Sequence, residues 1–223
     1  MTAPLALLFD LDGTLLDTDH LHHAIFAEIL AETGHNLTLE EYKARIMGQP
    51  NEAIMTRYFP GREAEHAALA DAKEAEFRAR LGHGLDPIPG AVALLDWADR
   101  HALPRAVVTN APRENAEAML RAIGLRDRFD TVVIGAECAA PKPDPEPYRA
   151  AMRMLGATPE CSIAFEDSGS GIRAAAASGA YTFGLRTGLD DAMLRAAGAQ
   201  ETLADYTDPA LWLRLERSTL KTA

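Results

Sequence analysis

The chain has 223 residues, 48% hydrophobic and 25% charged, and its 22 Lys and Arg against 33 Asp and Glu give a formal net charge of −11. That is the balance of a folded protein with one sizeable core and a small appendage; two full-sized domains would be a squeeze. The acidity argues against a general nucleic-acid or anionic-membrane binder, and no apolar run reaches the ~18 residues of a membrane span. Two cysteines, Cys138 and Cys161, cannot make a disulfide framework, and no basic start precedes the first apolar run. A soluble, cytoplasmic chain is expected.

The run Leu5-Ala6-Leu7-Leu8-Phe9 is short, unalternating and closed by Asp10-Leu11-Asp12-Gly13, which reads as a strand buried on both faces. No strand pattern follows from Thr18 to Leu85. Leu21, Ile25, Phe26, Ile29 and Leu30 mark one helix, and Thr38-Leu39-Glu40-Glu41 is a capping box opening a second. The Ala-, Glu- and Arg-rich stretch 63–81 predicts a third, amphipathic helix, and the residues from Gly82 to Gly90 resemble a hinge. Residues 18–87 are therefore expected to form a helical cap inserted into a core of residues 1–17 and 88–223.

Further along, apolar runs recur at 105–109, 131–134, 162–165 and 181–185. Helical patterns lie between them: Val92 to Leu103, Met119 to Gly124, Tyr148 to Gly156 and Gly171 to Gly179. Three of these end at a glycine, the expected helix stop. Strand alternating with helix predicts an α/β fold: a Rossmann-like parallel sheet core flanked by helices, with an inserted all-helical cap domain.

In open parallel sheets, ligands sit outside the carboxyl ends of the strands, so the polar residues there are the candidates. Asp10, Asp12 and Thr14 follow the first run, Thr109 and Asn110 the second, Lys142 the third, and Glu166-Asp167-Ser168 the fourth. If these strands are neighbours, four carboxylates meet one lysine. Like charges so close cannot all ionise near neutral pH without compensation. A hard divalent cation with oxygen ligands resolves this, and Mg²⁺ suits it best. A metal beside carboxylates, with a lysine and hydroxyl or amide donors opposite, is built to hold a phosphoryl group.

Asp10-Leu11-Asp12-Gly13-Thr14, Thr109, Lys142 and Glu166-Asp167 resemble, in order and context, the four motifs of the haloacid dehalogenase-like superfamily. The helical insert after the first motif resembles its members with a small helical cap, which include β-phosphoglucomutase, phosphoglycolate phosphatase and many sugar phosphatases. The text from Val108 to Glu117 and the ending Ala204 to Trp212 look most like the broad-range sugar phosphatases. The resemblance implies an Mg²⁺-dependent phosphatase of small phosphorylated metabolites. Asp10 would be the nucleophile that forms an aspartyl phosphate, and Asp12 the general acid and base. Gly13 would let the chain turn away and Thr14 would hold the loop. Mg²⁺ would be bound by Asp10, the Asp12 carbonyl and Asp167, with Glu166 nearby or through water. Thr109 and Lys142 would bind the transferring phosphoryl oxygens, with Asn110 beside them.

The same resemblance puts His22 near the leaving group. Met47 and Asn51 stand where β-phosphoglucomutase has lysine and arginine, which favours hydrolysis over transfer between two phosphorylated sites. Gln49 and Asn51 would instead hydrogen-bond sugar hydroxyls. Asp12 argues against dehalogenation, since a halide leaves without a proton. A non-catalytic module that senses a phosphorylated ligand is the reading from a different class. Gly169-Ser170-Gly171-Ile172-Arg173-Ala174 also fits a dinucleotide fingerprint, but Glu166 and Asp167 would face the pyrophosphate unshielded, so it reads as close helix–sheet packing. The spacing of His20, His22 and His23 does not suit a helical zinc pair. A monomer is expected for a chain with a mobile cap.

Overall fold

The computed structural model describes residues 5–82 and 85–222. The chain divides into two compact units, Met1–Asp17 with Gly84–Ala223, and Thr18–His83. His83 and Gly84 of the expected hinge lie outside the described residues. Ile88 belongs to the first unit through its N–H, which donates to the Leu15 carbonyl at 2.8 Å.

The second unit is all helical: α1 (Asp19–Ala31), α2 (Leu39–Arg45), α3 (Asn51–Tyr58) and α4 (His66–Arg80). Its core joins Phe26 and Leu30 of α1 to Tyr42, Ile46, Ile54, Met55 and Phe59. Half of the expected capping box forms. The Thr38 hydroxyl accepts from the Glu41 N–H at 3.1 Å, but the Glu41 carboxylate turns outward to His35 and the Tyr58 hydroxyl. The sequence reading passed over α3, whose two buried residues, Ile54 and Met55, are too few to set a period.

The first unit holds six parallel strands: β1 (Ala6–Phe9), β2 (Arg105–Thr109), β3 (Thr131–Ile134), β4 (Ser162–Glu166), β5 (Tyr181–Leu185) and β6 (Glu201–Leu203). Their order is β3-β2-β1-β4-β5-β6. Parallel neighbours need crossovers, which here include α5 (Ala91–Arg100), α6 (Arg113–Ala122), α7 (Glu146–Leu155), α8 (Gly169–Ser178) and α9 (Asp191–Ala197); α10 (Pro209–Thr222) follows β6. Gly156 and Gly179 end α7 and α8 in the left-handed region, as the helix-stop reading predicts. On one face of the sheet Phe9, Phe165 and Phe183, registered neighbours on β1, β4 and β5, stack at 4.9 and 5.6 Å. Leu8, Ala164 and Val108 pack with Tyr148 and Met152 of α7 in another cluster. No helix among the described residues is long and apolar enough to cross a membrane.

From β1 the chain builds β2 and β3 on one side, then returns to lay β4, β5 and β6 on the other. The switch point lies between β1 and β4, where open α/β sheets leave a crevice. The register Phe9↔Phe165 places Asp10 beside Glu166, and the Asp10 N–H donates to the Phe165 carbonyl at 2.9 Å.

Candidate active site

Lys142 reaches this switch point from the loop before α7. Its ammonium donates to Asp10 Oδ1 at 2.6 Å, Glu166 Oε1 at 2.5 Å and the Val108 carbonyl at 2.7 Å, so its three hydrogens are all engaged. Lys142 is 6% exposed, Asp10 9% and Glu166 not at all. The loop that carries the lysine is fixed by Asn110. The asparagine amide donates to the Lys142 carbonyl at 3.0 Å, and its Oδ1 accepts from the Lys142 N–H at 3.1 Å. Asn110 therefore supports Lys142, and its amide is committed to that task.

After Asp10 the chain turns at Gly13, whose φ is +80°, and a Cβ there would lie 2.2 Å from Asp167 Oδ2. Thr14 closes the turn: its hydroxyl donates to Asp167 Oδ1 at 3.0 Å. The Gly13 carbonyl accepts from the Thr187 hydroxyl at 2.6 Å and the Thr14 carbonyl from the Tyr206 hydroxyl at 3.1 Å. Thr14 thus orients Asp167 through its side chain, where the sequence leads one to expect a backbone hydrogen bond within the loop.

Asp167 follows β4, and Ser168 caps α8 by accepting from the Gly171 N–H at 3.0 Å. Glu166 Oε2 accepts from the N–H groups of Asp167 and Ser168 at 3.2 and 3.4 Å and from the Ser168 hydroxyl at 3.2 Å. A Cβ on Gly171 would sit 1.8 Å from Glu166 Oε1, so the glycine of the apparent dinucleotide fingerprint makes room for this carboxylate. The fingerprint is packing, as the sequence reading has it.

Burial pushes Asp10 up from 3.8 to about 7, Lys142 opposes the rise, and Glu166 and Asp12 add to it. Asp167 is held well above the usual carboxylate range by burial and by Asp10, Glu166 and Asp12. Burial works against the Lys142 ammonium, but Asp10 and Glu166 outweigh it and its pKa rises. Asp10 and Glu166 thus share one lysine, and the charges of Asp12 and Asp167 act on the same carboxylate cluster. Ligand oxygens of Asp10, Glu166 and Asp167 lie within 4.8 Å of one another, a donor set that fits a hard divalent cation. Both Glu166 oxygens already accept hydrogen bonds, so Asp10 and Asp167 are the better placed to ligate.

The chain matches the haloacid dehalogenase-like hydrolase family over residues 7–185. It belongs to that family. It is 31% identical over 220 residues to validoxylamine A 7'-phosphate phosphatase of Streptomyces hygroscopicus subsp. limoneus, which covers 90% of this chain and 93% of the relative. It is 33% identical over 175 residues to fructose-1-phosphate phosphatase YqaB of Escherichia coli, covering 78% and 92%. Among solved structures, CbbY of Rhodobacter sphaeroides in complex with xylulose-(1,5)bisphosphate superposes with a TM-score of 0.77 at 32% identity, covering 92% of this chain and 96% of that one. Family membership makes the chain an enzyme, and such relatives place it among the family's phosphoric monoester hydrolases.

The switch point of this haloacid dehalogenase-like hydrolase gathers Asp10, Gly13, Thr14, Lys142, Glu166 and Asp167, with half-buried Asp12 two residues beyond Asp10. Thr109 ends β2, buried, and its Oγ1 accepts from the Ala111 N–H at 3.1 Å. His22, Gln49 and Asn51 belong to the helical unit. There His22 stacks on Phe77 at 4.2 Å and Gln49 is exposed. The Asn51 amide donates to Glu74 Oε1 at 2.6 Å, so that group is engaged within its own unit.

Three residues escaped the sequence reading. Lys73 is a buried cation of α4, 2.9 Å from Glu74 Oε1 and over the rings of Phe26 and Phe77. Like Asn51, it is engaged by Glu74 Oε1 within its own unit. Tyr148 reads only as a member of a helical pattern, and Tyr206 only as part of the stretch Ala204 to Trp212. Burial of a phenol, which demands a partner for its hydroxyl, is a signal only the fold supplies.

Proposed function

We propose that the chain is an Mg²⁺-dependent phosphatase of small phosphorylated metabolites, sugar phosphates foremost, acting as a cytoplasmic monomer through an aspartyl phosphate on Asp10. The observation that carries this reading is Lys142 set between Asp10 and Glu166 with Asp167 alongside, a nucleophile and its cation at the switch point. The phosphatase names of the relatives support the substrate class.

An Asp10 carboxylate oxygen attacks phosphorus, and the bond from phosphorus to the sugar oxygen breaks. Asp12 gives that oxygen its proton, then takes one from the water that attacks the aspartyl phosphate, releasing phosphate and restoring Asp10. Thr109, whose Oγ1 accepts from Ala111, offers its own O–H to a phosphoryl oxygen. Lys142 holds Asp10 through a bond that loosens as the carboxylate is phosphorylated, which frees a donor for the phosphoryl oxygens. Asp10, the Asp12 carbonyl and Asp167 would hold Mg²⁺, with Glu166 close by; when bound it supplies positive charge against those oxygens.

The protein is expected to hydrolyse p-nitrophenyl phosphate with Mg²⁺, and EDTA or Asp10→Asn to abolish this. Activity retained in Asp10→Asn would remove the nucleophile assignment, and ligand binding without turnover would favour the sensing module. A panel of sugar phosphates, phosphoglycolate, β-glucose 1-phosphate and sugar bisphosphates ranks the substrates.

A further inference from the structure

Tyr148 stands in the first full turn of α7 and is completely buried. Its hydroxyl donates to Glu166 Oε1 at 2.8 Å, the oxygen that also accepts from Lys142 Nζ. Its ring centroid lies 5.1 Å from the same ammonium. One side chain therefore touches both members of the pair behind the nucleophile, and nothing in the proposed chemistry uses it.

We infer that Tyr148 is a positioning residue: by holding Glu166 Oε1, its hydroxyl fixes the anchor from which Lys142 is aimed at Asp10. This rests on the phosphatase reading of the same site. Of the three acceptors of Lys142, the Val108 carbonyl belongs to β2 and is rigid, and Asp10 is the group that reacts. Glu166 is the adjustable one, a side chain of three rotatable bonds. Its Oε2 is held only by the longer contacts of 3.2 to 3.4 Å. Its Oε1 is held more closely, by the Tyr148 hydroxyl at 2.8 Å, so the phenol fixes the oxygen to which the lysine is tied. A shift of Glu166 would carry the ammonium with it and change the aim of Asp10. Phenylalanine would fill the α7 position as well, so core packing explains the ring but not the hydroxyl.

The test is Tyr148→Phe, which keeps the ring. We expect kcat for p-nitrophenyl phosphate with Mg²⁺ to fall about tenfold, the scale of one hydrogen bond to a charged group, with KM changed less than twofold and the circular dichroism melting curve preserved. Placed on Glu166→Gln, the same change should cost less than twofold, since the anchor is already altered. A readout without turnover is the ¹⁵N signal of the Lys142 ammonium in metal-free protein, one of four lysines in the chain. Its proton exchange with water should quicken at least fivefold in Tyr148→Phe. Parental kcat in Tyr148→Phe, an equal loss on Glu166→Gln, or an unchanged ammonium signal overturns the proposal. If the parent turns over no phosphate ester, the phosphatase reading falls by itself, and the ammonium signal still decides whether Tyr148 sets the lysine.

Discussion

Lys142 brings a positive charge into a region almost closed to water, and only the carboxylates on either side make that tolerable. Desolvation of each ion costs several kcal/mol, and a buried pair recovers this only with good geometry and full hydrogen bonding. Here the ammonium has three acceptors within 2.7 Å, so removing it harms more than the ion pair itself. Lys142→Met leaves Asp10 and Glu166 buried side by side with no cation between them. We expect a loss of about 3–5 kcal/mol of unfolding free energy at pH 8, measured with urea, and a drop in kcat of at least about 10³. The stability loss should shrink at pH 5, where protonation relieves the repulsion. An equal loss at both pH values would mean that packing of the lysine stem, and not its charge, holds this region.

At the scale of elements, turns decide whether the strand ends become a site. Gly13 and Gly156 both have positive φ, at +80° and +64°, but only Gly13 faces a neighbour within 4 Å, the Asp167 carboxylate. Gly156→Ala is therefore expected to cost about 1 kcal/mol of stability and leave activity intact, as a helix stop should. Gly13→Ala adds the displacement of Asp167, so half-saturation of activity by Mg²⁺ should rise about tenfold or more. Equal Mg²⁺ titrations for the two variants would disprove that distinction. The same contrast shows what a sequence can disclose. Strands buried on both faces read as short apolar runs, and the polar residues ending them read as ligands, so β1 to β5 and Asp10, Lys142 and Asp167 were legible. β6 and α9 have three and seven residues, too short for a period to register. Partnerships across the sheet leave no local trace. Neither the three acceptors of Lys142, nor the Asn110 pair beneath it, nor the Tyr148 hydroxyl changes any spacing in the chain.

For the whole molecule, a sheet whose switch point collects carboxylates would give the fold and a bound cation opposite dependences on pH. Asp10 rises from 3.8 to about 7 on folding, chiefly through burial, so the native chain holds a proton that the unfolded chain has released. Stability from this group is complete below about pH 4 and is lost as pH climbs through about 7, because the native state binds more protons across that window. Asp167 moves in the same direction, also through burial. On the proposed reading, Mg²⁺ would bind the ionised carboxylates and so compete with those protons. The metal-free protein should therefore unfold at progressively lower urea concentrations from pH 5 to pH 7.5, while the gain from a fixed Mg²⁺ concentration grows over the same interval. At 100 times its dissociation constant, Mg²⁺ would add about 2.7 kcal/mol at pH 7.5. Urea titrations at four pH values, with Mg²⁺ and with EDTA, separate the two trends. Parallel curves, with the Mg²⁺ gain equal at pH 5 and pH 7.5, would show that proton and metal do not share these carboxylates, and the cation would have to be sought elsewhere on the chain.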